Sequence, residues 1–343
     1  MKPTTPDDVL DLLDASFPSA ALGAAMELGL FWLLDAQPLD APAVARTLGI
    51  PPVRCAYWLQ FLLSVGLIEQ GPRGYQPSRI SRSAILETYS QNSWALLAEE
   101  ARGRLPGLCD LPVHIRDGGS AWEGLRLTPP MFYDRMEKEP ETARRFTRML
   151  YELHQPLANE LAGFLDLSGA QRLMDLGGGS GAVSIAIAQR YPALRATVVD
   201  IPNVCAAGRE IAAVKSLAKQ IIFQPADFLQ DALPTGFDVV LECDVNIYSE
   251  ALFLKIRDSL NPNGRFFIVD QFAPAEGSAP SARLHWAFEG SMISPGFMFP
   301  TVAKVRDMLE KAGFAHLCEA PLPVSSAPCR RFTDGFFVIE ANR

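Results

Sequence analysis

The sequence predicts an α/β protein with a mainly parallel sheet, preceded by a helical domain that ends in a winged helix. Three observations carry this. From Arg172 onward, short β-branched and aromatic runs alternate with helical segments, the rhythm of a sheet wound by crossover helices. Before Arg172 the apolar periodicity is helical almost throughout. The first late strand, "RLMDL", runs straight into "GGGSG" and a helix, the place where open α/β sheets bind ligands.

The elements follow in order. "SAALGAAMELGLFWLLDA" is apolar nearly all round, as expected of a buried or subunit-facing helix. Asp40 can cap a short helix that Gly49 ends, and a second apolar helix runs to Gly66. "LIEQGPRGYQPS" reads as two short strands around a Gly-Pro turn, which completes the winged-helix pattern. Such a module either binds DNA or serves packing and dimerisation. Its candidate recognition helix, Pro51 to Val65, offers only Arg54 as a cation, and the chain's net charge is −8. Contact with phosphates needs more positive charge, so the packing reading is favoured and no nucleic acid is expected. A region rich in Gly and Pro follows from Arg102 to Pro130. A long helix then starts near Pro140, with Phe146, Met149, Leu150, Leu153, Leu157 and Leu161 on one face. The strands expected beyond it are "RLMDL", "RATVVD", "IIFQP", "FDVVLEC" and "RFFIVD", and "TVAKVRDMLEKAGF" is a further helix.

Composition narrows the class. The 343 residues are 48% hydrophobic and 20% charged, enough for a full core. No apolar run reaches the roughly 18 residues of a membrane span, and the acidic N-terminus lacks a signal-peptide core. The six cysteines are scattered without a C-x-x-C, as expected of reduced thiols in a cytoplasmic protein. The four histidines show no metal-ligand spacing with them, so no metal is expected.

The chemistry gathers at the strand ends. In "DLGGGSG", Asp175 to Gly181, three consecutive glycines (Gly177, Gly178 and Gly179) let the backbone approach a ligand, with a helix N-terminus behind them. The spacing is not a clean G-x-G-x-x-G, and a glycine turn alone also occurs in plain tight turns. Asp200 ends the second strand, where a carboxylate can accept both hydroxyls of a ribose. Asp227 ends the third beside Phe228, where an amine on a flat ring such as adenine could be held. One strand-end acid could be a helix cap; three in successive units point to a ligand.

These residues, with "PNGRFFIVD", "LEKAGF" and the winged helix, resemble the S-adenosylmethionine-dependent O-methyltransferases of small molecules. The resemblance covers nearly the whole chain. It implies a winged-helix dimerisation domain over residues 1–100, linking helices that line the acceptor pocket over 101–165, and a Rossmann-like class I methyltransferase domain over 166–343. It also implies a homodimer, S-adenosyl-L-methionine as cofactor and S-adenosyl-L-homocysteine as product. Gly177 and Gly179 would lie against the methionine part, Asp200 on the ribose, and Asp227 with Phe228 on the adenine. Phe146 and Met149 would line the acceptor pocket.

One departure matters. Members that methylate hydroxyls usually carry "LHDW" after the fourth strand, its His being the general base, held by a Glu of a later helix. Here that strand runs into "ECDVNIYSE", and Lys304 stands about where the partner carboxylate would be. A hydroxyl with a pKa near 10 is a poor nucleophile until deprotonated, whereas a thioether has no proton to lose. The pattern thus resembles the methylthiohydroxybutyrate S-methyltransferases of dimethylsulfoniopropionate synthesis, which implies a small anionic thioether acceptor. Glu242 and Asp244 could then favour positive charge near the methyl, with Tyr133, Tyr248 and Trp286 offering ring faces. Glu242 is alternatively a solvated strand-end acid. His285 is a base from another direction, a partner for an acceptor carboxylate, or a core histidine. Arg283 is the other candidate cation, while Arg144 and Arg148 face away from Phe146. O-methylation of a phenol or hydroxyl through His285, and cofactor binding without transfer, stay open beside S-methylation.

Overall fold

The computed structural model describes residues 2–124, 132–294, 296–323 and 330–343; the side chains of 124 and 132–134 lie outside that description, among them the expected acceptor residue Tyr133. Contacts divide the chain into two compact units, Met1–Leu108 and Cys109–Arg343.

The first unit runs α1 (Pro6–Leu13), α2 (Ser16–Glu27), α3 (Leu30–Ala36), α4 (Ala41–Leu48), α5 (Pro52–Ser64), β1 (Ile68–Gly71), β2 (Gly74–Pro77), α6 (Arg79–Ser81) and α7 (Gln91–Gly103). The expected punctuation is present. Asp40 accepts the Ala43 N–H at 2.8 Å, and Gly49 ends α4 at φ +66°. The hairpin β1–β2 pairs antiparallel behind α5, making helix, turn, helix and wing. α5 turns Cys55, Leu59 and Leu62 inward onto Leu30, Phe31 and Leu34 and leaves Tyr57 bare. Along α1 and the start of α2, Leu10, Leu12, Leu13 and Phe17 are all more than half exposed.

The second unit contains α8 (Leu111–His114), α9 (Ala121–Gly124), α10 (Phe132–Lys138), α11 (Pro140–Phe164), β3 (Arg172–Leu176), α12 (Ala182–Arg190), β4 (Arg195–Asp200), α13 (Pro202–Val214), β5 (Ile221–Pro225), β6 (Phe237–Cys243), α14 (Glu250–Ser259), β7 (Leu260–Asp270), α15 (Leu284–Ile293), α16 (Val302–Lys311), β8 (Ala315–Pro321) and β9 (Phe337–Asn342). The sheet order is β5-β4-β3-β6-β7-β9-β8. β3 to β7 pair parallel; β8 and β9 form the antiparallel edge, a pair the sequence reading did not single out.

Strand alternation builds two cores. Along β6, Val239 and Leu241 face α11, α12 and α13, while Val240 faces α14 and α16. Phe253, Phe266 and Phe314 fill the second core. Each such ring stabilises the fold by about 1.5–3 kcal/mol relative to exposure. α11, the long helix of the expected linking segment, is part of this unit: its Leu157 and Leu161 are buried in the first core. Between β3 and β6 the chain order reverses, and a crevice opens beyond their carboxyl ends.

Candidate active site

The glycine turn sits at that crevice, and its geometry excludes other residues. Gly177 and Gly179 hold φ of +67° and +55°, a region L-residues rarely adopt. A Cβ on Gly178 would lie 2.4 Å from the Asp175 carboxyl carbon, and one on Gly177 2.9 Å from Val245. Asp175 is buried; it accepts the Ser184 hydroxyl at 2.6 Å, and its Oδ1 has no partner. Burial pushes its carboxyl up to about 6, against the pull of Ser184. Asp200 ties the turn to β4, accepting the Gly179 N–H at 2.9 Å and the Ile201 N–H at 2.7 Å. Burial raises it to about 6 as well, with those two N–H groups opposing. Phe228 borders the same turn, 3.6 Å from where a Gly177 Cβ would stand. Asp227, an exposed residue, accepts the Leu229 N–H at 2.9 Å, so one of its oxygens caps its own loop.

The cavity at the turn is about 90 Å³ and is lined by Asp175, Gly177–Ser180, Ala182, Val183, Cys243 and Asp244, with Leu150, His154 and Leu157 from α11. It is a cradle for an extended ligand: backbone at one side, an orphaned buried carboxylate oxygen at its base and a helix N-terminus behind.

His154 was not among the expected site residues. Its Nε2 lies 3.5 Å from Asp244 Oδ2, with the side chains 21% and 14% exposed. Leu150, His154 and Leu157 share one face of α11 by their spacing of four and three, and this is the stripe that reaches the cavity. Pro156, which has no N–H to donate, sits inside the helix two residues later. Met149 is instead buried on the neighbouring stripe, and Phe146 packs with Met136, Ala143, Val204 and Ile201. The expected acceptor pair is therefore one stripe off, or further toward α13.

Other expected residues also stand differently. Arg283 is not free to meet a ligand anion: it is 7% exposed, and its Nη2 reaches both Asp244 oxygens, at 2.9 and 3.1 Å. Its guanidinium lies 4.8 Å over Trp286, whose ring it uses in place of a ligand cation. His285 meets Arg331 through Nε2. Glu242 is 1% exposed and does not line the cavity, because strand alternation turns it away from Cys243. Burial, then the charge of Asp270, raises its carboxyl well above the ordinary range, and neither oxygen has a full hydrogen bond. Tyr248 donates to Asp270, and its ring packs against Phe253 and Phe272 and is not part of the cavity lining. Arg144 and Arg148 are half-exposed and bind Glu210 of α13, at 2.9 and 2.7 Å. Lys304 is exposed in the first turn of α16.

Asp244 is the hub. Burial alone would raise its carboxyl, but His154 and Arg283 beside it hold it below the ordinary value. Phe332 sets its ring edge against His154, centroids 6.5 Å apart at 89°. The arrangement is a histidine with a carboxylate partner at the lip of a glycine cradle, a constellation suited to accepting a proton.

Known proteins match this architecture. A family model described as the O-methyltransferase domain covers residues 113–315, and one described as the O-methyltransferase dimerisation domain covers 10–86. The 3-hydroxy-5-methyl-1-naphthoate 3-O-methyltransferase of Streptomyces sahachiroi is 33% identical over 237 residues, 69% of this chain and 67% of its own. The L-tyrosine C(3)-methyltransferase of Streptomyces lavendulae is 27% identical over 308 residues, 85% of this chain and 82% of its own. Among solved structures, PigF with SAH superposes with a TM-score of 0.84 at 19% identity, over 99% of this chain and 100% of that one, a likeness of fold. The cradle, the sheet order and the two matched domains together place this chain in the O-methyltransferase family, as a methyltransferase.

Proposed function

We propose that the protein is an S-adenosylmethionine-dependent O-methyltransferase of a small hydroxylated molecule, with His154 as general base and Asp244 as its partner. The observation that carries this is the His154–Asp244 pair at the lip of the glycine cradle. The case for a sulfur acceptor rested on the lack of a base, and His154 removes that premise. The name of one relative leans the same way, a naphthoate 3-O-methyltransferase; another, which methylates carbon 3 of tyrosine, supports a hydroxylated aromatic acceptor but not the oxygen as the methylated atom.

The residues suit the cofactor. Gly177 and Gly179 would lie along its methionine part, Asp200 on the ribose, and Asp227 with Phe228 at the adenine. Asp175, with its unpartnered Oδ1 at the cavity, would attract the cofactor's positive end. When bound, S-adenosylmethionine would supply a methyl group from its sulfonium sulfur to the acceptor oxygen and would be left as S-adenosylhomocysteine, while His154 would hold the hydroxyl proton. Asp244 favours the tautomer of His154 protonated on Nε2, which leaves Nδ1 to take the hydroxyl proton. His285, against Arg331, would serve an acceptor's anionic group. The bare apolar residues of α1 and α2 would be covered by a second copy, giving a homodimer.

Mass spectrometry of products formed from methyl-labelled cofactor tests the acceptor class, using 3-hydroxy-5-methyl-1-naphthoate, simple phenols and 4-methylthio-2-hydroxybutyrate side by side. A methyl ether from a phenol is the expected result. A sulfonium product alone would return the reading to sulfur.

A further inference from the structure

Asp244 occupies an awkward place. Its backbone stands at φ +56° and that of Asn246 at φ +60°, a left-handed region that few residues other than glycine, asparagine and aspartate enter. The loop is pinned by the Asp244 N–H, which donates to Val269 C=O at 2.9 Å. At the side chain, Arg283 Nη2 contacts both carboxylate oxygens, Asn246 Nδ2 donates to Oδ1 at 3.2 Å, and His154 faces Oδ2. Arg283 is itself immobilised. Its Nε donates to Gln271 Oε1, and Gln271, 1% exposed, donates onward to Asp334 C=O. The rings of Trp286 and Phe336 flank the guanidinium at 4.8 and 6.0 Å. The segment that receives this chain at Asp334 also presents Phe332 to His154, so the contacts close into a ring.

From this we propose that Arg283 is a positioning residue, clamping Asp244 so that the carboxylate fixes His154 with its proton on Nε2. It deepens the proposed function and rests on its assignment of His154. A salt link distant from the reaction would need only opposite charge. This one has a buried, unbroken train of hydrogen bonds that sets the guanidinium's angle, and only a planar group with several donors can fill it. The groups facing Asp244 show why the charge matters: His154 and Arg283 favour the carboxylate, while Asp270 opposes it, with Tyr248 and Cys243 beside them. Without Arg283, only His154 and Asn246 are left to hold the Asp244 carboxylate against burial, so it becomes a weaker and less fixed acceptor that selects one histidine tautomer less sharply.

The test reads the histidine ring, not turnover. Full-length protein labelled with ¹⁵N-histidine, with S-adenosylhomocysteine added, has four histidines, and His154 is assigned by its loss in His154→Gln. At a pH where the ring is neutral, the wild-type ¹⁵N shifts should report the tautomer protonated on Nε2. Arg283→Met should lower the ratio of that tautomer to the other at least about tenfold, one hydrogen bond's worth. Arg283→Lys, which keeps the charge but not the fork, should recover part of it. Gln271→Met frees the Arg283 Nε and should move the ratio in the same direction by less, and it serves where Arg283→Met does not fold. An unchanged ring in Arg283→Met, or in Gln271→Met when the former is unfolded, overturns the inference. Undiminished methyl transfer by His154→Gln would instead sink the base assignment, and leaves the tautomer result standing by itself.

Discussion

The cofactor end and the acceptor end of the crevice are built in opposite ways. At the cofactor end, Asp175 to Gly181 is one continuous turn, closed by Asp200 and bordered by Phe228. At the acceptor end, His154 comes from α11, Asp244 from the end of β6, Arg283 from the approach to α15, and Phe332 from the segment before β9. A turn made by neighbouring residues is fixed by local sterics, which leave no room for a Cβ at Gly177 or Gly178. A cluster drawn from four distant segments is fixed by packing and charge. The difference predicts that mutations at the first end should act on cofactor affinity, and at the second on the rate of transfer.

The largest effect should fall at the acceptor end. His154→Gln is expected to slow single-turnover methyl transfer to a phenol about 10²–10⁴-fold, the range for a general base, while calorimetry finds cofactor affinity within about threefold of wild type. Next comes Gly178→Ala. Its Cβ would meet the Asp175 carboxyl at 2.4 Å, so S-adenosylhomocysteine affinity should drop more than about 100-fold as the turn is displaced. Asp200→Ala should cost about 1.4–3 kcal/mol of the same affinity, read by calorimetry, through loss of charge-assisted hydrogen bonds. If it instead changes only the transfer rate, the two ends are not separable.

A pH effect separates the ends without a change in rate. Asp175 and Asp200 titrate at about 6 in the fold, above the ordinary carboxyl near 4. Between those values the folded protein binds more protons than the unfolded chain, so stability falls as pH rises from about 4 to about 6. Asp175→Asn removes one of those groups. Its Tm relative to wild type should therefore climb across that window, in the protein without cofactor; a flat difference would contradict the burial argument. The smallest effect is expected at Glu242. Glu242→Gln keeps the shape of a buried side chain that does not line the cavity and removes a charge that burial disfavours, so transfer should stay within about threefold of wild type. A large loss would bring Glu242 back into the site.

The same contrast explains what the sequence made legible. The glycine turn, Asp200 and Phe228 were visible because each ends a strand and strand ends recur at a fixed place in such sheets. Asp40 and Gly49 were visible as helix punctuation. His154 was not, since "ELHQPL" reads as one more turn of an amphipathic helix, and only packing decides which stripe of α11 faces the crevice. The stripe Leu150–His154–Leu157 was a findable signal, a polar residue at apolar spacing. Arg283 looked available because its partner, Asp244, lies 39 residues away. The strand β6 end looked like an acidic site; alternation instead buries Glu242, and Asp244 reaches the cavity because the chain leaves the strand there at φ +56°.

The central claim is that a base exists at the acceptor end and that it is His154. Single-turnover methyl transfer to a phenol, followed against pH in wild type and His154→Gln, tests it most directly. The account predicts a wild-type rate that rises with pH along a limb from one titrating group, and a His154→Gln rate that is lower and lacks that limb. The same limb in His154→Gln, or in His285→Gln its disappearance, would contradict it.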